Sequence, residues 1–225
     1  MFKDFFDDFY DLFFNSSRGL SRVARTRNIW NGLAVYLLVS LIVSLATVNF
    51  NLGYRMEQDL FSVPPEIVPF FSPEMGAGVS RFVPLVTLLT QLVFGPLYFL
   101  LTVAVRNFTA ELLGGRSNPG GLGAVLGYGQ LPYLVVALGG LLNRYTAFNT
   151  VGLLTLAALL WSLWLKIAGL RIVHEFTWGR AVLCYFMPLL AVLTAFVLFL
   201  LLAVVFLFPV ALQFVEKVPG APALF

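Results

Sequence analysis

"LGAVLGYGQLPYLVVALGGLL", Leu122 to Leu142, is the stretch on which the fold turns. It is apolar and long enough for a bilayer, since crossing the ~30 Å hydrocarbon layer takes about 20 such residues. Yet its middle, Leu126 to Leu134, holds two glycines, Gln130 and Pro132. These suit neither a soluble core helix nor a simple anchor. Pro132 removes one backbone hydrogen bond and loosens the helix a turn earlier. The carbonyl near Tyr128 then needs another partner, which lipid cannot supply and a neighbouring polar group in a bundle can. The stretch is therefore expected to span, bent, with its break turned into a bundle.

Four further apolar stretches lie near Ile29–Phe50, Phe82–Val105, Thr150–Leu170 and Val182–Leu212. The fold class expected is all-α: a polytopic membrane protein with five transmembrane helices plus an N-terminal amphipathic helix. The 225 residues are 60% hydrophobic and 11% charged, against about 25% charged in a soluble domain. The last stretch would reach roughly 46 Å at 1.5 Å per residue, so it must tilt, bend near Pro188 or project from the bilayer. Residues 1–28 read as a cytoplasmic amphipathic helix and basic anchor, 29–212 as the membrane domain and 213–225 as an external tail. A cleaved signal peptide competes for the first span. Asp4, Asp7, Asp8 and Asp11 ahead of it, and the lack of a good small-residue cleavage site behind it, argue against that account. No internal repeat supports an inverted-repeat transporter.

Basic residues orient the chain. With the N-terminus in the cytoplasm, that side receives Lys3, Arg18, Arg22, Arg25, Arg27, Arg106, Arg116, Lys166, Arg171 and Arg180, and the other side only Arg55, Arg81, Arg144 and Lys217. Five spans then place the C-terminus outside. The connection Asn51 to Arg81 contains Pro64, Pro65, Pro69 and Pro73, which prevent a continuous helix, and its Ile67, Val68, Phe70 and Phe71 are expected on the outer interface.

The opening "MFKDFFDDFYDLFF" has helical spacing. Phe2, Phe5, Phe6, Phe9, Leu12 and Phe13 gather on one side, and the four aspartates largely on the other. Interfacial helices usually carry Lys and Arg on their polar face, so an acidic face leaves docking on a protein partner open beside a plain interfacial role. Arg18, Arg22 and Arg25 follow, as a topological anchor or as a site for lipid headgroups or an acidic partner.

Several chemistries are excluded by what is missing. No Asp or Glu lies at the centre of a span, which argues against proton relays, ion-coupled carriers and voltage sensors. Lys166 lies near the end of its span, where its stem can snorkel to the cytoplasmic interface. No Ser/His pair, paired aspartates or H-E-x-x-H is present, and His174–Glu175 lacks a second histidine. His174 has no companion at ligand spacing, and Cys184 is the single cysteine, so neither metal nor internal disulfide is expected. No cofactor and no nucleic-acid partner is expected either. Gly123 and Gly127 form a G-x-x-x-G that lets a helix approach closely, within the monomer or in a homo-oligomer. "FGPLY", Phe94 to Tyr98, puts Gly95 and Pro96 mid-span and suggests a second break by the same logic.

These motifs, in this order, resemble the Yip family of Ypt-interacting membrane proteins. "VFGP" is similar to the end of the family's D-L-Y-G-P, with Phe94, Gly95 and Pro96 in place but Leu92–Val93 where the Asp would stand. "GYGQLP" is similar to G-Y-x-x-x-P at Gly127, Tyr128 and Pro132. "GLRIVHEFTWGRAVL", Gly169 to Leu183, is similar to the basic loop before the last span of bacterial relatives. The resemblance implies five spans, a cytoplasmic N-terminus and no catalytic residues. Eukaryotic relatives bind prenylated Rab-type GTPases; the missing Asp and the short N-terminal region leave that activity uncarried here. The reading that follows is a non-enzymatic adaptor or organiser in a bacterial inner membrane, in contact with lipids and engaging a protein partner at its cytoplasmic face. The alternative is a small-solute or lipid transporter or channel using a groove at the broken second and third spans. A wet or lipid-filled cavity beside Tyr128 and Gln130 would favour the alternative.

Overall fold

Asn15 interrupts the helical pattern at the N-terminus, and two helices result: α1 (Phe2–Phe14) and α2 (Ser16–Thr26). A computed structural model describes residues 2–59, 73–142 and 150–216. In it α3 covers Ile29–Asp59, α4 Pro73–Leu112, α5 Pro119–Tyr128, α6 Leu134–Leu142, α7 Thr150–His174 and α8 Trp178–Glu216. The described residues contain no strand. Five segments are long and apolar enough to cross a membrane: Ile29–Ala46, Leu85–Leu112, Pro119–Gly139, Thr150–His174 and Trp178–Leu207. The chain is an all-α polytopic membrane protein. The prolines Pro64, Pro65 and Pro69, the apolar patch around Phe70 and the tail from residue 217 lie outside the described residues, as do the side chains of Phe2, Phe5 and Phe6.

Two units divide the chain, residues 1–185 and 186–225. In the first, α5 is the axis. It packs against α2, α3, α4 and α7, and every residue from Gly121 to Gly129 is buried. Asn118 starts it by accepting a hydrogen bond from the Gly121 N–H (3.0 Å), and Pro119, which has no N–H to lose, fills the first turn. Burial from water cannot hold such a helix inside lipid, so close packing must. α3 and α5 meet backbone to backbone: a Cβ on Gly127 would collide with the Gly32 carbonyl, and one on Gly32 would lie 2.8 Å from the Ala124 Cα. Gly32 thus sits between Gly123 and Gly127, and the G-x-x-x-G is used within the chain. The second unit's described part is the remainder of α8, Phe186–Glu216, an apolar helix that continues past Pro188.

Two expectations need correction. The second span is unbroken, because α4 runs through Gly95 and Pro96 as one helix. Proline costs a helix one hydrogen bond, and a long apolar helix in lipid keeps the rest because its backbone has no water to turn to. Pro73 opens α4 instead of preventing it, since the first helical turn requires no N–H.

Candidate functional site

The third span does break. α5 ends at Tyr128, Gly129 and Gln130 form a turn, and Leu131–Tyr133 make one 3-10 turn before α6. The Gly129 N–H bonds the Val125 carbonyl at 2.8 Å and the Gln130 N–H the Gly127 carbonyl at 3.1 Å. The Gly129 carbonyl, released by the turn, accepts a hydrogen bond from the Ser162 hydroxyl of α7 at 2.6 Å. A side chain from the neighbouring helix supplies what the backbone lost. Tyr128 is buried, within electrostatic range of Asp8 and Arg27, while Gln130 turns the other way.

Gln130 faces two hollows, the larger an open cleft and the smaller a more enclosed cavity, which also share Tyr36. One, of about 310 Å³, lies among Tyr36, Ser40, Ser44, Gln91 and Tyr133. The other, of about 110 Å³, is lined by Tyr98, Thr102, Arg106, Lys166 and Tyr185. Tyr36 stacks on Phe99 at 5.0 Å, with Ser40 and Gln91 in hydrogen-bonding range of its hydroxyl, which fixes the shared wall. The Arg106 guanidinium lies 4.1 Å over the Tyr185 ring. Lys166 corrects a sequence expectation. Its stem rests against Gly129 and its ammonium lies 6.0 Å from the Tyr133 ring centroid, so it points into the bundle and does not snorkel along the helix. The glycine turn leaves the room that makes this possible.

The N-terminal end of the bundle is closed by α1 and α2, which pack on each other and, through α2, on α5 and α7. Leu12, Leu20 and Val23 are buried, and Phe13 meets Trp161 edge-on at 4.7 Å. Two residues of the acidic face, Asp8 and Asp11, are turned to arginines and not outward. Asp8 is 1% exposed and pairs with Arg27, whose Nε and Nη2 reach one carboxylate oxygen at 2.8 and 2.7 Å. Asp11 pairs with Arg22 at 2.6 Å. Helical spacing places the aspartates opposite the phenylalanines, but it cannot register that α2 folds back and brings arginines to them.

The motif residues fall in two places on α3. Gly95 is buried, 3.3 Å from Leu37 measured from an added Cβ, and Gly127 lies against Gly32; Phe94 is exposed and Pro96 half-buried. Of the N-terminal candidates, Phe9 is half-buried on Phe13, Arg18 and Arg25 are exposed, and Arg22 is held by Asp11. Sequence reasoning missed the cavity walls. The signal was present as one polar residue per turn in otherwise apolar helices: Tyr36, Ser40 and Ser44; Tyr98, Thr102 and Arg106; Ser162 and Lys166.

His174 is structural in placement, with Nδ1 2.6 Å from the Arg116 carbonyl and its ring near Phe176. Among the described residues no group of three or more His, Cys, Asp or Glu side chains is placed to hold a metal.

Fold and site define a multi-pass membrane protein whose third span is broken around a polar interior. Residues 10–212 match the Yip1 domain, and the chain belongs to that family. No curated protein and no solved structure matches it.

Proposed function

We propose that this Yip1-family protein is a non-enzymatic carrier or lipid-handling protein that holds a polar group inside its bundle. The observation that supports this is the pair of cavities meeting at Gln130, with Arg106 and Lys166 in one wall. Ionisable groups at membrane depth are costly and face functional interiors as a rule. A volume near 310 Å³ is also at the lower end of ordinary ligand sites. The test is water access: a cysteine at Gln130 reacts with a charged thiol reagent, and an unreactive one would refute the reading.

A second reading is the adaptor, favoured by the fixed cytoplasmic cap. Its ion pairs hold α2 in place while Arg18 and Arg25 stay exposed, giving an acidic protein partner a preformed surface. In this reading the N-terminus is cytoplasmic, the C-terminus external and the membrane a bacterial inner membrane. Arg18→Glu with Arg25→Glu should remove a protein that co-purifies with the wild type from native membranes, at unchanged abundance of the chain. An unchanged set of co-purifying proteins would contradict it.

A further inference from the structure

The smaller cavity is electrically one-sided. Arg106 and Lys166 both line it, and no Asp or Glu is among its lining residues. Neither cation is ion-paired with a carboxylate among the described residues. Arg106 has the Tyr185 face, and Lys166 has the Tyr133 face only at the outer limit of a cation–π contact. Two like charges sharing about 110 Å³ repel, and the low dielectric of a bundle interior magnifies that repulsion. Aromatic faces offset part of it; an anion between them would reverse its sign. The remaining wall suits an oxyanion, because the Gln130 amide and the Tyr98 hydroxyl can donate hydrogen bonds.

Depth narrows the ligand. Arg106 lies about 9 Å from the end of α4 at Leu112, and Lys166 about 12 Å from the end of α7 at His174, at 1.5 Å rise per residue. The apolar part of α4, Leu85–Leu112, is 28 residues long, about 42 Å, close to the full thickness of a bilayer with its headgroup regions. Both cations therefore lie roughly two helical turns in from the helix ends, so an anionic headgroup would have to reach into the bundle to meet them.

We propose that the Arg106–Lys166 cavity is a binding site for a phosphate-type oxyanion, supplied by the headgroup of an acidic lipid or by free phosphate. The proposal rests on reading the bundle interior as a ligand site and names the ligand's class.

The experiment uses the full chain in a neutral detergent and follows its unfolding temperature. A ligand that binds only the folded state raises that temperature in a saturable way. The probes are dioctanoyl phosphatidic acid, dioctanoyl phosphatidylcholine and sodium phosphate, the last against sodium chloride at matched ionic strength. Phosphatidic acid is expected to stabilise saturably, at least tenfold more tightly than phosphatidylcholine. Arg106→Gln with Lys166→Gln should weaken it tenfold or more, Arg106→Lys only a few-fold, and the surface change Arg180→Gln by less than twofold. If the double variant does not fold, Arg106→Gln alone carries the comparison. Stabilisation by sodium phosphate as well assigns the site to any phosphate; its absence assigns it to the lipid headgroup. No saturable binding of either anion, or binding undiminished by loss of the two charges, would overturn the proposal. A Gln130 cysteine that reacts with water-borne reagents in a protein that binds no anion would remove this inference and leave the ligand-site reading standing.

Discussion

Gly127→Ala is expected to destabilise the folded bundle by about 3 kcal/mol, the top of the range usual for overpacking. The cause is the kind of atom the new methyl would meet. It would enter the Gly32 carbonyl and Cα, which are backbone and cannot rotate away, so α3 and α5 would have to separate. That separation loosens the contact on which the whole first unit is centred, because α5 also carries α2, α4 and α7. Gly95→Ala is the internal contrast. Its added methyl would meet the Gln91 amide and a Leu37 methyl, each at 3.3 Å, and both are side-chain ends able to shift by a few tenths of an ångström. Unfolding in detergent, followed by helical signal against denaturant, should show a large loss for Gly127→Ala and a loss below about 1 kcal/mol for Gly95→Ala. Equal tolerance of the two changes would mean that the glycine contact does not hold the bundle.

Asp8→Ala should release the cap formed by α1 and α2. Asp8 is buried and accepts both Arg27 bonds on one oxygen, so its removal takes the ion-pair partner from a guanidinium that is only 21% exposed. Removing one partner of a buried pair typically costs ~3–5 kcal/mol; partial access of water to Arg27 reduces this to about 2–3 kcal/mol. The readout is tryptic cleavage between Arg18 and Arg27, expected to quicken at least tenfold while the spans stay inserted. Replacing both partners, Asp8→Asn with Arg27→Gln, should be milder than Asp8→Ala, since no charge is left buried. Cleavage as slow as in the wild type would show that α1 does not hold α2 in place.

The span count was legible because apolar length is set by bilayer thickness, and the break in the third span because Gly129 and Pro132 fall within one turn of each other. The break predicted at Gly95–Pro96 was not realised. The same residue types leave a helix intact where the freed carbonyl can be tolerated, and sequence does not say where that is. Legibility failed at Asp8 for a different reason. A helical wheel assigns faces by period, and the partner that turned Asp8 inward stands nineteen residues away, just past the end of α2. Lys166 was misjudged because snorkelling presumes that the only room for its ammonium is at the interface, whereas the missing side chain at Gly129 leaves space for its stem within the bundle. The polar stripes on α3, α4 and α7 were visible as spacing, but their convergence on Gln130 depends on how three helices rotate against α5.

The account stands or falls on whether the break at Gln130 opens onto water. The measurement is thiol modification by a charged, membrane-impermeant methanethiosulfonate applied to inverted membrane vesicles, in a Cys184→Ala background. Arg18→Cys, on the exposed cap, should react at once and mark the side that carries the N-terminal helices. Leu138→Cys, exposed on the apolar far half of the same span, should stay unmodified. The Gln130→Cys variant is predicted to react at least tenfold faster than Leu138→Cys. Reaction as slow as at Leu138, with Arg18→Cys still fast, would mean that the bundle interior is dry and that the broken span is only a way of packing helices.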